Sequence, residues 1–364
     1  MPWITELVAE ERDFGQWSSL AIDSDNVLHV SFWDEAGANL MYARRRGGHE
    51  WEVSTIESGG EVGEYNALAL SPHNEPRVAY FDRTRGTVGY ARYSADGGWS
   101  ISPIRDHLQA HSAGPPCLAM TAGDRARILI TTEHAFFHAF EQNVDGIFHF
   151  FGGIDGSPFA GSAALTVDSD ERWHVVYNDV CPFLDCDEGE VSEWITYATD
   201  ATTPSRYRPS YFAKTPLVHV RGSAAANRVR QPAIALDSVG IVHIVYADRE
   251  DGILKYLANA GDWAQQVLYD ESHVCGASMF MDSADHMHVA FTAGGGDSFG
   301  TRLMYATNAG GGWATETIDA STHIGWLTSI AVDGFGQAHI TYYDATNRNL
   351  RHAVKILGFV EHVR

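Results

Sequence analysis

A strand-turn-strand segment recurs along this chain at intervals near fifty residues. The segment "SSLAIDSDNVLHVSFWD" at 18–34 returns as "TSIAVDGFGQAHITYYD" at 328–344, and five related segments lie between them. A unit of this length cannot bury its own apolar face, so repeated units are expected to pack side by side around a common core. The residues that end the first strand of the seven copies are Asp23, Ser71, Thr121, Asp168, Asp237, Asp282 and Asp333.

The sequence of each copy predicts four short strands. A third strand such as "LMYA" or "ITYA" follows the recurring segment, and then come a Gly-containing turn and a Trp-led fourth strand such as "WEVSTI" or "WATETI". Four strands per unit of forty to fifty residues are typical of a β-propeller blade. The seventh copy lacks its Trp-led strand, and "WITELV" at 3–8 matches the missing piece. The sequence therefore predicts an all-β domain spanning 1–364, a seven-bladed β-propeller of four antiparallel strands per blade whose last blade is closed by residues 3–8.

The turn before one fourth strand reads "SADGGW" at 94–99. It resembles a degenerate Asp-box of the bacterial-neuraminidase-repeat type, through Ser94, Asp96 and Trp99. The whole architecture also resembles that of seven-bladed polysaccharide lyases, ulvan lyases among them. The lyase resemblance implies chemistry in which an Arg or a cation neutralises a uronate carboxylate while a His or Tyr removes the proton beside it.

Composition limits the classes of partner. The chain has 47 acidic and 25 basic residues, so its formal net charge is −22. Such a field opposes binding to nucleic acid and to anionic membranes. The N-terminus shows no basic segment followed by an apolar one, and we expect a cytoplasmic protein, although the mature form of a secreted protein would look the same. We expect a saccharide or another small molecule as the ligand, and the oligomeric state stays open.

Residues that recur in most copies are expected to serve the fold. A His stands early in the second strand of five copies, and an Asp ends that strand in five copies. We expect the histidines to be hydrogen-bonded within their blades and the aspartates to cap the following turn. The histidines are His29, His174, His243, His288 and His339, and the aspartates are Asp34, Asp82, Asp179, Asp248 and Asp344.

Two segments depart from the repeat, namely 180–193 and 199–231. The stretch 206–231 holds six basic residues and no acidic one. One interpretation is an anion site, because the Arg fork matches carboxylate, sulfate or phosphate. The other is a structural role in which these residues pair with the acidic segment 185–193. The candidate substrate-binding residues of this stretch are Arg206, Arg208, Arg228 and Arg230; Lys214 and Arg221 are the remaining basic residues.

Histidine also occurs outside the repeat position. Three loops that enter an innermost strand carry a His nine or ten residues before the end of that strand, and these are His111, His273 and His323. His134 lies in "TTEHAFFHAF", which we expect to be a loop of blade three. Imidazole titrates near neutrality and ligates metals. The three entry-loop histidines therefore predict either catalytic acid-base groups or ligands of a divalent metal ion at the channel mouth, with His134 nearby as a substrate contact.

Aromatic residues stand in the same entry loops. Trp17, Tyr65 and Trp326 are placed either to stack on a sugar or to cap the core. Tyr65 is in addition a candidate proton acceptor. These residues keep saccharides among the expected ligands.

Three functional hypotheses remain. The first is a single-site enzyme acting on a saccharide or small anionic ligand, by elimination in which Arg228 or Arg230 binds a carboxylate and His111, His273 or Tyr65 takes the proton. The second is a metal-dependent enzyme of small molecules, in which the three entry-loop histidines hold the only cofactor that the sequence suggests, a divalent metal ion. The third is a non-catalytic propeller that binds a glycan or a protein.

Overall fold

The computed structural model consists of strands and tight turns. It describes residues 2–9, 13–48, 50–104, 115–131, 136–142, 147–155, 163–180, 192–200, 212–221, 232–248, 252–295, 300–321 and 323–356. These residues form seven antiparallel sheets of four strands each. Within these ranges there is no helix of the length and hydropathy needed to cross a membrane.

Six blades take their four strands consecutively from the chain. Blades one to three consist of β2 (Phe14–Ile22), β3 (Val27–Asp34), β4 (Asn39–Arg46) and β5 (Glu52–Glu57); β6 (Val62–Leu70), β7 (Pro76–Asp82), β8 (Thr87–Ser94) and β9 (Gly98–Pro103); and β10 (Cys117–Met120), β11 (Ala126–Thr131), β12 (Phe136–Gln142) and β13 (Phe148–Asp155). Blades four to six consist of β14 (Ala163–Val167), β15 (Trp173–Val180), β16 (Ser192–Thr199) and β17 (Ala213–Arg221); β18 (Ala233–Leu236), β19 (Val242–Asp248), β20 (Ile253–Asn259) and β21 (Trp263–Tyr269); and β22 (Val274–Met281), β23 (Met287–Ala293), β24 (Arg302–Thr307) and β25 (Ala314–Asp319).

Blade seven joins the two ends of the chain. It contains β26 (Ile324–Val332), β27 (Ala338–Asp344) and β28 (Asn349–Lys355), with β1 (Trp3–Ala9) as its fourth strand. The register runs antiparallel from Trp3 opposite Lys355 to Ala9 opposite Leu350. The predicted seven-bladed propeller and its closure by the N-terminal strand are therefore confirmed.

The first strands of the seven blades form the inner ring. Each contacts the first strands of both neighbours, and β26 contacts β2, so the ring is closed. Side-chain hydroxyls link these strands, because Ser329 Oγ accepts a hydrogen bond from the Leu20 amide (2.9 Å) and Ser19 Oγ accepts one from the Leu68 amide (3.0 Å). An innermost strand has no sheet partner on its channel side, and these bonds satisfy part of that edge.

The recurring histidines belong to hydrogen-bonded chains inside the blades. Asp23 Oδ1 accepts the amides of Asp25 and Val27, while Asp23 Oδ2 lies 3.2 Å from His29 Nε2. His29 Nδ1 lies 2.6 Å from the Tyr42 hydroxyl. The expected structural role of these histidines is confirmed. Equivalent chains are Asp168, His174 and Tyr197; Asp237, His243 and Tyr256; and Asp282, His288 and Tyr305.

Blade seven uses a second histidine where the other blades have Tyr. His339 Nε2 lies 3.3 Å from Asp333 Oδ2, and His339 Nδ1 lies 3.0 Å from His352 Nε2. His352 Nδ1 in turn lies 2.8 Å from Oε1 of Glu6, which stands on the closing strand. Burial lowers the pKa of His352 well below its ordinary value. The hydrogen-bonded chain of this blade therefore reaches the N-terminal strand that closes the ring.

The third-strand tyrosines also connect neighbouring blades. The Tyr42 ring meets Trp99, which leads the fourth strand of blade two, edge-on at 5.1 Å between centroids. Such edge-to-face pairs add to the free energy of burial. The recurring Trp is thus an interblade contact as well as a strand marker. Equivalent pairs are Tyr197 with Trp263, Tyr256 with Trp313, and Tyr305 with Trp3, and in blade seven His352 meets Trp51.

Turn capping explains the aspartates that end the second strands. Asp34 Oδ1 accepts the Gly37 amide, Asp82 Oδ1 accepts the Arg85 amide, and Asp344 Oδ1 accepts those of Thr346 and Asn347, each at 2.8–3.1 Å. In blade five, Asp248 accepts the Gly252 amide through its backbone carbonyl and binds Lys255 through its carboxylate. The side chain of Asp179 lies outside the described residues.

Part of the predicted insertion 199–231 is regular structure. Ala213–Arg221 forms β17, the fourth strand of blade four, so Lys214 and Arg221 are strand residues. The strand escapes recognition because Phe212 stands before it in place of Trp; the Phe212 ring meets Trp173 edge-on at 5.9 Å. In blade three, likewise, the end of "TTEHAFFHAF" lies in β12.

Candidate functional site

A short pattern brings the chain to the channel mouth in blades one, two and seven. It reads "DFGQW" at 13–17, "EVGEY" at 61–65 and "HIGWL" at 323–327. Gly15 has a φ of +105°, and a Cβ there would come within 2.5 Å of Leu350 Cβ in blade seven. Gly63 repeats this approach over Leu40 of blade one with a φ of +93°. Only Gly tolerates both the φ and the contact, so in blades one and two this residue sets the path of the entry loop across the neighbouring blade.

The loop of blade one forms a cavity with the second-strand turn of blade seven. This cavity, the 7/1 cleft, has a volume of about 520 Å³. It lies at the end of the propeller where the entry loops and the turns between second and third strands meet. Its lining residues are Asp13, Gln16, Trp17 and Glu35 from blade one, and Gly325, Leu327, Tyr343, Ala345 and Arg348 from blade seven.

Polar side chains in the 7/1 cleft are ordered by mutual hydrogen bonds. The Tyr343 hydroxyl donates to Asp13 Oδ1, and Arg348 Nη1 lies 3.5 Å from Asp13 Oδ2. Gln16 Nε2 donates to Glu35 Oε2 at 2.7 Å. The Arg348 side chain is 72% exposed and that of Asp13 only 16%. The guanidinium therefore forms the outer rim and the Asp13 carboxylate the inner wall.

Two acidic groups in the 7/1 cleft have raised pKa values and therefore hold their protons more tightly than usual. Burial and the neighbouring Asp13 carboxylate raise the pKa of Glu35. Burial and the hydrogen bond to Asp13 raise the pKa of Tyr343, which stays a hydrogen-bond donor at neutral pH. The cleft therefore combines a carboxylate, a carboxyl group that protonates more readily than usual, a phenol and a guanidinium.

Trp17 forms the side of the 7/1 cleft nearest the channel, and two further aromatic rings pack behind it. Trp17 meets Tyr65 edge-on at 4.4 Å between centroids, and Tyr65 lies 6.2 Å from Phe81. The Trp17 backbone has a φ of 57° and its carbonyl accepts Asn66 Nδ2 at 2.6 Å. Trp17 lines both the 7/1 cleft and the central channel. Two of the aromatic residues singled out from the sequence, Trp17 and Tyr65, are thus neighbours.

The two described entry-loop histidines lie against different turns. His323 is exposed, its amide donates to Thr346 Oγ1, and its carbonyl accepts the Ala345 amide of blade seven. The His273 ring lies over Gly252 of blade five, where an added Cβ would come 2.2 Å from Nδ1. Within the described ranges, no three His, Cys, Asp or Glu side chains form a group that could hold a metal ion. The metal site remains a prediction, because its third ligand lies outside those ranges.

Several predicted site residues fall outside the part of the chain that the structure describes. For Trp326 the structure describes the strand backbone of β26 and not the side chain. The roles assigned to these residues stay predictions. Those wholly outside are His111, His134, Arg206, Arg208, Arg228 and Arg230.

Sequence reasoning missed most of the 7/1 cleft. Asp13 and Gln16 flank the entry-loop Gly next to the predicted Trp17, so a comparison of entry loops could have found them. Glu35 directly follows Asp34, the residue that ends the second strand of blade one, so a comparison of these turns could have found it as well. No sequence signal pairs Asp13 or Glu35 with Tyr343, because Tyr343 lies 330 residues from its partner Asp13.

The sequence matches no protein-family model and no curated protein. Solved structures resemble the fold. The BP39L lectin from Burkholderia pseudomallei has a TM-score of 0.65 and 11% identity, over 94% of this chain and 96% of the lectin. The polysaccharide lyase Uly1 has a TM-score of 0.59 and 8% identity, over 94% and 90% of the two chains. AofleA from Arthrobotrys oligospora has a TM-score of 0.56 and 11% identity, over 89% and 92%. At these identities the likeness shows the propeller fold.

Proposed function

We propose that the protein binds a saccharide in the 7/1 cleft. The observation that carries this proposal is a cavity of about 520 Å³ that combines an aromatic side chain with convergent polar groups. A sugar presents an apolar ring face and a rim of hydroxyls, and such a cavity complements both. Trp17 contacts the ring face, Asp13 and Glu35 accept hydrogen bonds from hydroxyls, and Arg348 donates one.

The charge of the cleft favours a neutral sugar over a uronate. Arg348, a cation of the cleft, already lies 3.5 Å from the Asp13 carboxylate, and Glu35 adds a second carboxyl group. An anionic sugar would meet these acids and the net charge of −22. Elimination needs an Arg to neutralise the carboxylate of the sugar. The lining of the 7/1 cleft does not support this mechanism, which therefore depends on the basic stretch 206–231.

The fold alone does not decide between binding and catalysis. Structures described as a lectin and as a polysaccharide lyase share it, and a fold hosts unrelated functions. Both descriptions concern saccharides, which agrees with the chemistry of the cleft. The choice of saccharide as ligand class therefore depends on the lining residues, with the fold as supporting context.

Hydrolysis of a glycosidic bond is the second candidate. It is favoured by the raised pKa of Glu35 beside the Asp13 carboxylate. Glycosidases pair a protonated carboxyl group with an ionised one. In this reaction Glu35 gives its proton to the glycosidic oxygen and regains one from the water that attacks the sugar cation, while the Asp13 carboxylate stabilises that cation.

Glycan-array screening followed by calorimetry tests the proposal. We expect neutral saccharides to bind, and Trp17→Ala to weaken binding by at least about tenfold, the loss expected for one good stacking contact. Phe335→Ala is the matched control, because Phe335 is 72% exposed on a different turn and should leave binding unchanged. Binding of no saccharide, or equal binding by Trp17→Ala, would refute the proposal. Glu35→Gln separates the candidates, since it removes the proton donor of hydrolysis, whereas the amide oxygen still accepts a sugar hydroxyl and binding persists.

A further inference from the structure

A second cavity lies beside the 7/1 cleft, at the same end of the propeller. This 1/2 cleft, between blades one and two, has a volume of about 420 Å³. Its walls are again an entry loop and a turn that follows a second strand. The lining residues are Gln16, Trp33, Glu35, Ala38, Glu61, Glu64 and Arg83.

The two clefts are built from the same positions of the repeat. Trp33 precedes Asp34 as Tyr343 precedes Asp344, so each cleft has an aromatic residue at this position. Ala38 and Arg348 both precede the Asn that starts the third strand and have φ values of 54° and 55°. The remaining pairs of equivalent positions, 1/2 cleft first, are Glu61 and Asp13, Glu64 and Gln16, Arg83 and Glu35, and Glu35 and Ala345.

One pair of side chains separates the two cavities. Gln16 and Glu35 line both clefts and are joined by the 2.7 Å hydrogen bond from Gln16 Nε2 to Glu35 Oε2. Blade two repeats this bridge, because Arg83 donates to Glu64 at the two equivalent positions. A polar group bound in either cavity can therefore contact the same amide and carboxyl pair.

The second cleft shares three classes of group with the first, namely an indole ring, carboxyl groups and a guanidinium. It has the aromatic Trp33, the carboxylates of Glu61 and Glu64, and the guanidinium of Arg83, whose Nε lies 3.9 Å from Glu61 Oε2. At its rim Ala38 stands where the 7/1 cleft has Arg348, so this position offers no guanidinium. It also lacks a phenol at the position of Tyr343. The 1/2 cleft thus suits a second sugar ring held by fewer direct bonds.

We propose that the ligand is an oligosaccharide that occupies both clefts and crosses blade one over the Gln16 and Glu35 pair. This inference rests on the proposed function of the 7/1 cleft and deepens it, since it selects oligosaccharides over single sugars. The first ring lies in the 7/1 cleft and the next in the 1/2 cleft. Contacts in two linked subsites multiply affinity because the second binding step is intramolecular.

The test compares chain lengths on wild-type protein and on variants of the 1/2 cleft. The probes are glucose, galactose, mannose and fucose, with the neutral di-, tri- and tetrasaccharides that the glycan array identifies. Glu61→Ala and Arg83→Ala are suitable variants, because these side chains are 66% and 54% exposed and their loss leaves the core intact. Arg44→Ala is the matched control, since its guanidinium is 49% exposed and pairs with Glu52 outside both clefts. Thermal unfolding confirms that each variant is folded.

We expect oligosaccharides to bind at least about tenfold more tightly than the matching monosaccharide, as expected for a linked second subsite. Glu61→Ala and Arg83→Ala should remove most of this gain while monosaccharide affinity stays at the wild-type value. Equal affinity for all chain lengths, or an unchanged gain in both variants, overturns the inference and leaves the 7/1 site standing. If no saccharide of any length binds, the proposed function itself fails, and the inference fails with it.

Discussion

Replacing Gly15 by Ala should destabilise the junction of blades seven and one. The backbone φ of +105° costs an L-residue about 1–2 kcal/mol. The new Cβ would also lie 2.5 Å from Leu350 Cβ and 2.8 Å from Leu350 Cα. Leu350 is fully buried, so relief requires a backbone shift that costs about 1–3 kcal/mol more. We therefore expect a loss of about 2–5 kcal/mol in the free energy of unfolding.

Two glycines of one exposed turn serve as controls. Gly311 has a φ of +86° with nothing within 4 Å of an added Cβ, so Gly311→Ala bears the conformational cost alone. Gly312 has neither a positive φ nor a neighbour, and Gly312→Ala should be close to neutral. Guanidinium chloride unfolding followed by Trp fluorescence measures all three variants. For a chain of 364 residues the Gly15→Ala loss corresponds to a Tm decrease of about 3–7 °C.

Saccharide binding adds a second readout. Gly63→Ala should cost a similar free energy of unfolding, because its Cβ would come 2.8 Å from Leu40 Cα. It acts on the loop of Asp13 and Trp17 only indirectly, through Tyr65 and Asn66. Gly15→Ala should therefore weaken binding in the proposed 7/1 site more than Gly63→Ala does. The reasoning is wrong if Gly15→Ala loses no more stability than the Gly311 control.

Two further predictions concern the buried histidine chains. Burial lowers the pKa of His29, His288 and His352, so below pH ~6.5 the unfolded chain binds more protons than the folded chain. The histidines' contribution to the free energy of unfolding is therefore complete above that pH, and it falls on acidification by up to about 4 kcal/mol per pH unit. Urea unfolding at several pH values between neutrality and mild acid measures this change. A free energy of unfolding that stays constant over this range would contradict the prediction. Tyr42→Phe removes the hydroxyl 2.6 Å from His29 Nδ1 and should cost about 1–3 kcal/mol, as should Tyr197→Phe. Unchanged denaturation midpoints in both Phe variants would show that these bonds contribute nothing.

Much of the fold could be predicted because the repeat states the same local rules several times. The alternation of apolar residues marks the blades without knowledge of their neighbours, and the second-strand Asp and the leading Trp add to it in most of them. Prediction failed where a marker was replaced. Phe212 stands where most other blades have Trp, and the strand Ala213–Arg221 was assigned to an insertion. A rule inferred from the majority of blades cannot identify the blade that departs from it.

The candidate site could be predicted only in part. Trp17 and Tyr65 attracted notice as aromatic residues in entry loops, and the structure places their rings 4.4 Å apart. The sequence did not indicate Glu35, Tyr343 and Arg348 as site residues, because each is an ordinary turn or strand residue within its own blade. Their importance comes from a neighbouring blade, and spacing along the sequence does not report that contact.

The sequence by itself determined the ring. Seven copies of a four-stranded unit, with the missing strand at the opposite terminus, can bury their apolar faces only by packing side by side and closing. The tertiary structure alone decided which side chains meet. Ring closure brings Asp13 to Tyr343 across 330 residues of chain, and it sets two clefts on either side of the bond between Gln16 and Glu35. The physical reason is that periodicity specifies contacts within a unit, whereas a site between units depends on the twist and separation of neighbouring sheets.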